Sequence, residues 1–159
     1  MRNAIDRGLD NCVIGLMAFL VLDVLWQVCS RYVFSRPSPW TEELATFLLI
    51  WVGLLGAAVA YREHAHLGVD LLPARMAPRG RRAVEMMALT LTALFCVLVL
   101  IYGGATLVIR TVSLAQTSPA LGLPMGYVYL ALPVSGCFMT VYSLQFLAVR
   151  FSNVDAHHS

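Results

Sequence analysis

MMALTLTALFCVLVLIYGGATLVI, residues 86–109, is a run of 24 residues without one charge, and a helix needs roughly 20 to cross about 30 Å of hydrocarbon. That run makes lipid the solvent of this chain. Before it, Leu44 to Tyr61 adds 18 uncharged residues, extended at the start by Trp40 and Thr41. After it, Thr111 to Val149 holds 39 uncharged residues, too many for one crossing. Pro119, Gly122 and Pro124 mark a loop there, ahead of a helix of about 25 residues. At the N-terminal side, Asn11 to Ser30 forms a further span with one interior acid, Asp23. The sequence therefore predicts an all-α membrane protein: four transmembrane helices at approximately 11–31, 40–61, 83–109 and 125–149, in a single integral-membrane domain over residues 1–159.

Composition agrees. With 59% hydrophobic residues, 13% charged residues and a mean hydropathy of +0.75, the chain has too little polar surface to coat a soluble globule. A net charge of +2 is too small to argue for nucleic acid. All 11 cationic residues are arginines, and their placement orients the chain. Arg2, Arg7, Arg62, Arg75, Arg79, Arg81, Arg82 and Arg150 fall on one side, against Arg31, Arg36 and Arg110 on the other. The positive-inside bias puts both termini in the cytoplasm. A cleaved signal peptide is the rival reading of the first run, since Arg2 and Arg7 precede it. The run is long, holds Asp23 and lacks a small-x-small cleavage site, so a retained span is expected.

Cys12, Cys29, Cys96 and Cys137 sit singly in apolar stretches and read as buried small hydrophobes rather than redox groups, which need paired or thiolate-stabilised sulfur. His64, His66, His157 and His158 all lie outside the spans, which argues against a haem held between membrane helices. His64, His66 and Asp70 lack a fourth metal ligand, and Gly68 and Pro73 break their segment; turns and caps are the expected use. No catalytic, cofactor or metal site is expected. Asp70 is placed to N-cap a short amphipathic helix over Leu71 to Ala77, lying along the interface while Arg75, Arg79, Arg81 and Arg82 reach lipid phosphates. Pro78 and Gly80 mark the break before the third span.

Asp23 is the sole ionisable group inside a span, and a carboxylate at that depth costs about 2.5 to 3.5 kcal/mol on insertion scales, so it should face protein or water. Gln27 and Arg31 follow at steps of four and share its helical face. Two uses are open: a proton or ion carrier, or a structural carboxyl bonded to Gln27 or to a partner helix. The absence of a second intramembrane acid or base favours the structural one. In the second span, Gly53 with Ala57 and Gly56 with Ala60 would let a neighbouring helix approach closely. Gly103 and Gly104, beside Tyr102 and Thr106, offer the same in the third.

The most distinctive segment is RYVFSRPSPWTEEL, residues 31–44. Ser38 reads as an N-cap, Pro39 as the first helical residue, and Glu42 and Glu43 as first-turn anions that the helix dipole favours. Tyr32, Phe34 and Trp40 belong at the headgroup level. Together with H-x-G-V-D-L-L at 66–72 and SPALGLPM at 118–125 followed by VYLALP at 128–133, this corner resembles the small membrane subunit, DctQ-type, of TRAP (tripartite ATP-independent periplasmic) transporters. The likeness covers nearly the whole chain. One departure is Gly126, where the family often places an aromatic residue.

The resemblance implies a multi-pass protein of the bacterial inner membrane, a non-catalytic partner of a larger multi-span subunit that moves substrate on a sodium gradient. A periplasmic substrate-binding protein would deliver that substrate, commonly an organic acid. On this likeness Arg31, Trp40, Glu42 and Glu43 would shape the periplasmic face, with Arg31 pairing with a corner glutamate or staying solvated, and His66 and Asp70 would organise the inner loop. The rival from another class is a small proton-coupled homodimeric exporter that uses Asp23. The orientation is testable directly: a C-terminal green fluorescent protein should fluoresce and alkaline phosphatase fused after Gln116 should be active, the reverse pattern refuting the charge argument.

Overall fold

The computed structural model describes residues 4–33, 38–67 and 78–155. Four helices in it are long and apolar enough to cross a membrane, Ala4–Val33, Pro39–Glu63, Met86–Ser113 and Met125–Ala148. Among the described residues there is no strand, only an isolated bridge between Thr117 and Pro124. Hydrocarbon leaves the backbone no outside partner, so helix is the form each crossing takes. The helical elements are α1 (Ala4–Val33), α2 (Pro39–Leu67), α3 (Pro78–Phe95), a π-helical stretch (Cys96–Gly103), α4 (Gly104–Ser113), α5 (Met125–Tyr129) and α6 (Ala131–Asp155). Pro78 and Gly80 lie within the first turn of α3 instead of breaking the chain ahead of it. A proline at the first helical position lacks only an N–H that has no helical partner anyway. The interfacial helix expected over 71–77, and Asp70 with it, lies outside the described residues.

The packed centre joins α1, α2 and α6. Leu9, Leu55, Ala58 and Tyr142 are its buried members, with Trp51, Val134 and Phe138 among the residues against it. Leu48, Leu55, Ala58 and Arg62, spaced at seven, three and four, form a buried stripe along α2, which also buries Thr41 and Phe47. That stripe corrects the expectation for the small residues of the second span. Gly53, Ala57 and Ala60 are exposed, and a Cβ built on Gly53 or Gly56 meets nothing within 4 Å. They lie off the 55/58/62 face, so within this chain they bring no helix closer.

Close approach happens instead between the third and fourth spans. A Cβ on Gly136 would stand 2.7 Å from Leu100 Cβ, and one on Gly104 would stand 2.9 Å from Leu132 Cβ and 3.0 Å from Pro133 Cδ. Gly103 has no such contact with another helix. Gly126 is buried, and a Cβ there would stand 2.6 Å from Val112 Cγ2. The space an aromatic side chain would need at 126 is held by α4. Between α5 and α6 the helix is interrupted at Leu130. Pro133 has no N–H to give the carbonyl of Tyr129, whereas the flanking bonds Leu130 N–H to Gly126 O (3.1 Å) and Val134 N–H to Leu130 O (3.2 Å) persist.

The cysteines divide. Cys96 is fully buried, as expected, but Cys12, Cys29 and Cys137 are exposed on the helix exteriors, and all four are free thiols. Their hydrophobic character suits lipid or another subunit as readily as a core.

Gly136→Val should lower thermal stability by about 1 to 3 kcal/mol through overpacking, whereas Gly53→Ala should stay within about 0.5 kcal/mol of the parent chain. Melting of both variants in one mild detergent checks the contrast; equal melting temperatures would refute the close third-to-fourth span contact.

Candidate functional site

Polar side chains gather at the two ends of the bundle, with Asp23 between them. At the end where α1 meets α2 and α4 meets α5, the organising group is Glu43. One carboxylate oxygen, Oε2, accepts from Ser118 Oγ–H at 2.9 Å, Ala120 N–H at 3.0 Å and Leu121 N–H at 2.8 Å. The loop it grips is shaped by its own turns: Ser118 N–H bonds Leu123 O at 2.8 Å, Met125 N–H bonds Gln116 O at 2.9 Å, and Gly122 takes a φ of 67° that glycine adopts without penalty. Arg31 and Glu43 form no ion pair; neither the pairing nor the plain solvated charge expected for Glu43 is its use. Charge-assisted bonds to backbone N–H groups win because they satisfy donors that the turn leaves without helical partners.

Ser38 stands at the position before α2, but its Oγ is buried and makes no hydrogen bond. The expected side-chain cap is therefore not formed. Thr41 Oγ1–H instead donates to Ser38 O at 2.8 Å, and Thr41 is fully buried. Pro39 begins the helix as predicted, and Trp40 is 45% exposed, as an interface anchor would be. Gln27, Arg31 and Glu42 come together along an open cleft of about 270 Å³ between the end of α1 and the start of α2.

Asp23 is 7% exposed, and its Oδ2 has no hydrogen-bond partner. No hydrogen bond joins it to Gln27 among the described residues. Gln27 shares its helical face one turn away, as the spacing required.

At the opposite end, α1, α2 and α6 converge on Arg62, which is 8% exposed. Its guanidinium donates to Asp10 Oδ1 at 2.7 Å and Glu63 Oε1 at 3.0 Å, and lies 3.7 Å from Asp6 Oδ1. Tyr142 O–H donates to the same Asp6 Oδ1 at 3.0 Å, and the Arg62 carbon lies 6.0 Å from the centre of its ring. A second link between α2 and α6 is the 2.9 Å hydrogen bond of Tyr61 and Ser143 hydroxyls. Removing one partner from a buried charged group of this kind typically costs about 3 to 5 kcal/mol. His64 and His66 lie within α2, but their side chains are outside the described residues.

Sequence reasoning missed the Arg62 hub and the Glu43 grip. Asp6 and Asp10, one helical turn apart, carried a usable signal: two acids on one face at a span's end ask for a cation. Glu43 and Ser118 sit in two of the segments singled out above, without any local sign that they touch. Among the described residues no group of histidine, cysteine and acid side chains could hold a metal.

Four helices long and apolar enough to cross a membrane, with charges gathered at their ends apart from Asp23, define a multi-pass membrane protein. The family profile described as "Tripartite ATP-independent periplasmic transporters, DctQ component" matches residues 20–153. The chain belongs to that family, as a small permease subunit of a tripartite transporter. It is 36% identical over 112 residues to the C4-dicarboxylate TRAP transporter small permease protein DctQ of Rhodobacter capsulatus, covering 70% of this chain and 48% of that one. The sialic acid TRAP transporter small permease protein SiaQ of Vibrio cholerae is 28% identical over 91% of this chain and 82% of its own length. The isethionate TRAP transporter permease protein DctMQ of Oleidesulfovibrio alaskensis is 33% identical over 86% of this chain, which matches 22% of that longer polypeptide.

Glu43→Ala should free the amides of Ala120 and Leu121, raising their hydrogen-exchange rates and lowering stability by about 2 kcal/mol. Glu43→Gln, which keeps one acceptor oxygen, should fall between. Unchanged exchange at both amides in Glu43→Ala would refute the grip.

Proposed function

We propose that this chain is a non-catalytic scaffold of the bacterial inner membrane that braces a larger, sodium-coupled multi-span subunit and helps a periplasmic binding protein dock for uptake of an organic acid. The observation that carries the reading is the family match over residues 20–153, joined to helices whose polar groups form structural hubs. Bracing fits the distribution of exposed surface: only 6% of the apolar window of α1 is buried within the chain. That helix has most of its surface left for lipid and a neighbour. The DctMQ relative supports a permanent neighbour, since a segment like this chain is there part of a much longer permease polypeptide.

The loop-bearing end is the surface we assign to the binding protein, with the Glu43-held loop as its fixed element. Arg31, Trp40, Glu42 and Glu43 contribute to its shape. Lipid and these two proteins are the partners in this reading. The names of the relatives span C4-dicarboxylates, sialic acid and isethionate, all acids, which supports an organic acid here without choosing one.

Tagging the C-terminus, solubilising native membranes gently and identifying co-purifying proteins by mass spectrometry tests the scaffold. A larger multi-span protein in fixed proportion is the expected recovery, with uptake by the complex surviving Asp23→Asn. Recovery of the chain only with itself, together with transport that Asp23→Asn abolishes, would replace this reading by the proton-coupled exporter.

A further inference from the structure

The cleft between the end of α1 and the start of α2 is lined by Gln27, Val28, Arg31, Tyr32, Ser38 and Glu42. Among the described residues it contains one cation, Arg31, and one anion, Glu42, and these two form no ion pair with each other. A guanidinium and a carboxylate, unpaired among the described residues and facing one opening, match a ligand with its own separated charges.

From this arrangement we infer that the cleft binds a glycerophospholipid bearing a phosphate and a primary ammonium, that is, a phosphoethanolamine headgroup. The Arg31 fork takes the phosphate oxygens, a geometry arginine matches with paired N–H groups. Glu42 accepts from the ammonium. The cleft sits where the apolar spans end, which is the depth of the headgroups.

The apolar surface below the cleft decides for a lipid over a soluble partner. Val21, Leu25, Val28 and Tyr32 follow one another at steps of four, three and four, so they form one row along α1, and all are exposed. The row leads from the cleft into the hydrocarbon, giving an acyl chain a continuous bed beneath its headgroup. A peptide from a soluble protein would use the polar opening and leave that row untouched. The acid choice also discriminates among lipids. A glycerol headgroup offers Glu42 no cation, and a trimethylated ammonium offers it no N–H.

The test is native mass spectrometry of the full-length chain, stripped of lipid in mild detergent and titrated with phosphatidylethanolamine, phosphatidylglycerol and phosphatidylcholine of identical acyl chains. The expected result is at least about threefold greater retention of phosphatidylethanolamine, equivalent to about 0.7 kcal/mol. Glu42→Gln should abolish the preference and Arg31→Gln should lower retention of all three lipids, while Arg110→Gln, outside the cleft, should change neither. A second measurement needs no variant: N-methylated and N,N-dimethylated phosphatidylethanolamine should be retained progressively less by the parent chain. Equal retention of the three lipids, a preference that survives Glu42→Gln, or retention that Arg31→Gln leaves unchanged would overturn the inference. So would cleft variants that keep the lipid preference and instead lose only capture of the binding protein, which would make the opening a protein contact. The lipid titrations are read on this chain alone, so they stand apart from the scaffold's own test.

Discussion

Hydrocarbon gives a peptide group nothing to bond with, and that constraint governs the rest of this structure. It forces helix through each crossing and sends polar side chains to the two ends. What remains in the middle must hold by fit alone. The glycines at 104, 126 and 136 show how: each stands where a Cβ would come within about 3 Å of a neighbour's side chain. Close packing replaces the hydrophobic drive that water would supply, because lipid tails are as apolar as the helices themselves.

The ends do different work from the middle. Arg62 ties α1, α2 and α6 at one end through Asp6, Asp10 and Tyr142, and Glu43 ties α2 to the α4–α5 loop at the other. Both groups serve as junctions with several partners. A junction of this kind restricts how the helices meet, since each partner must arrive at hydrogen-bond distance together. Asp23 is the exception, a buried carboxyl with one oxygen unbonded.

Span number and approximate position were legible in the sequence because they rest on length and hydropathy, which are local. Pro39 as the start of α2, and the loop around Pro119, Gly122 and Pro124, were legible for the same reason: each residue carries its backbone preference with it. Pairings were not. Glu43 looked like a helix-start charge, and its true partners lie 75 to 78 residues away. Gly53 and Gly56 carried the small-residue pattern of a contact helix, but the pattern cannot say whether the contact falls inside this chain. Gly104 and Gly136 had no stronger local signal and make the contact.

The π-helical stretch over Cys96–Gly103 left no periodic trace in an apolar run that is uniform on every side. A π turn holds more residues than an α turn, so the faces before and after it fall out of phase. α3 and the π stretch lie on α6, while α4 also lies on α5, with Val112 against Gly126. The third crossing thereby meets two segments of the fourth in succession, with its contact face turned between them. Its outward stripe is correspondingly not straight: a rigid helix laid along the α3 half would slide off the α4 half, and a partner that follows the whole crossing must bend with it.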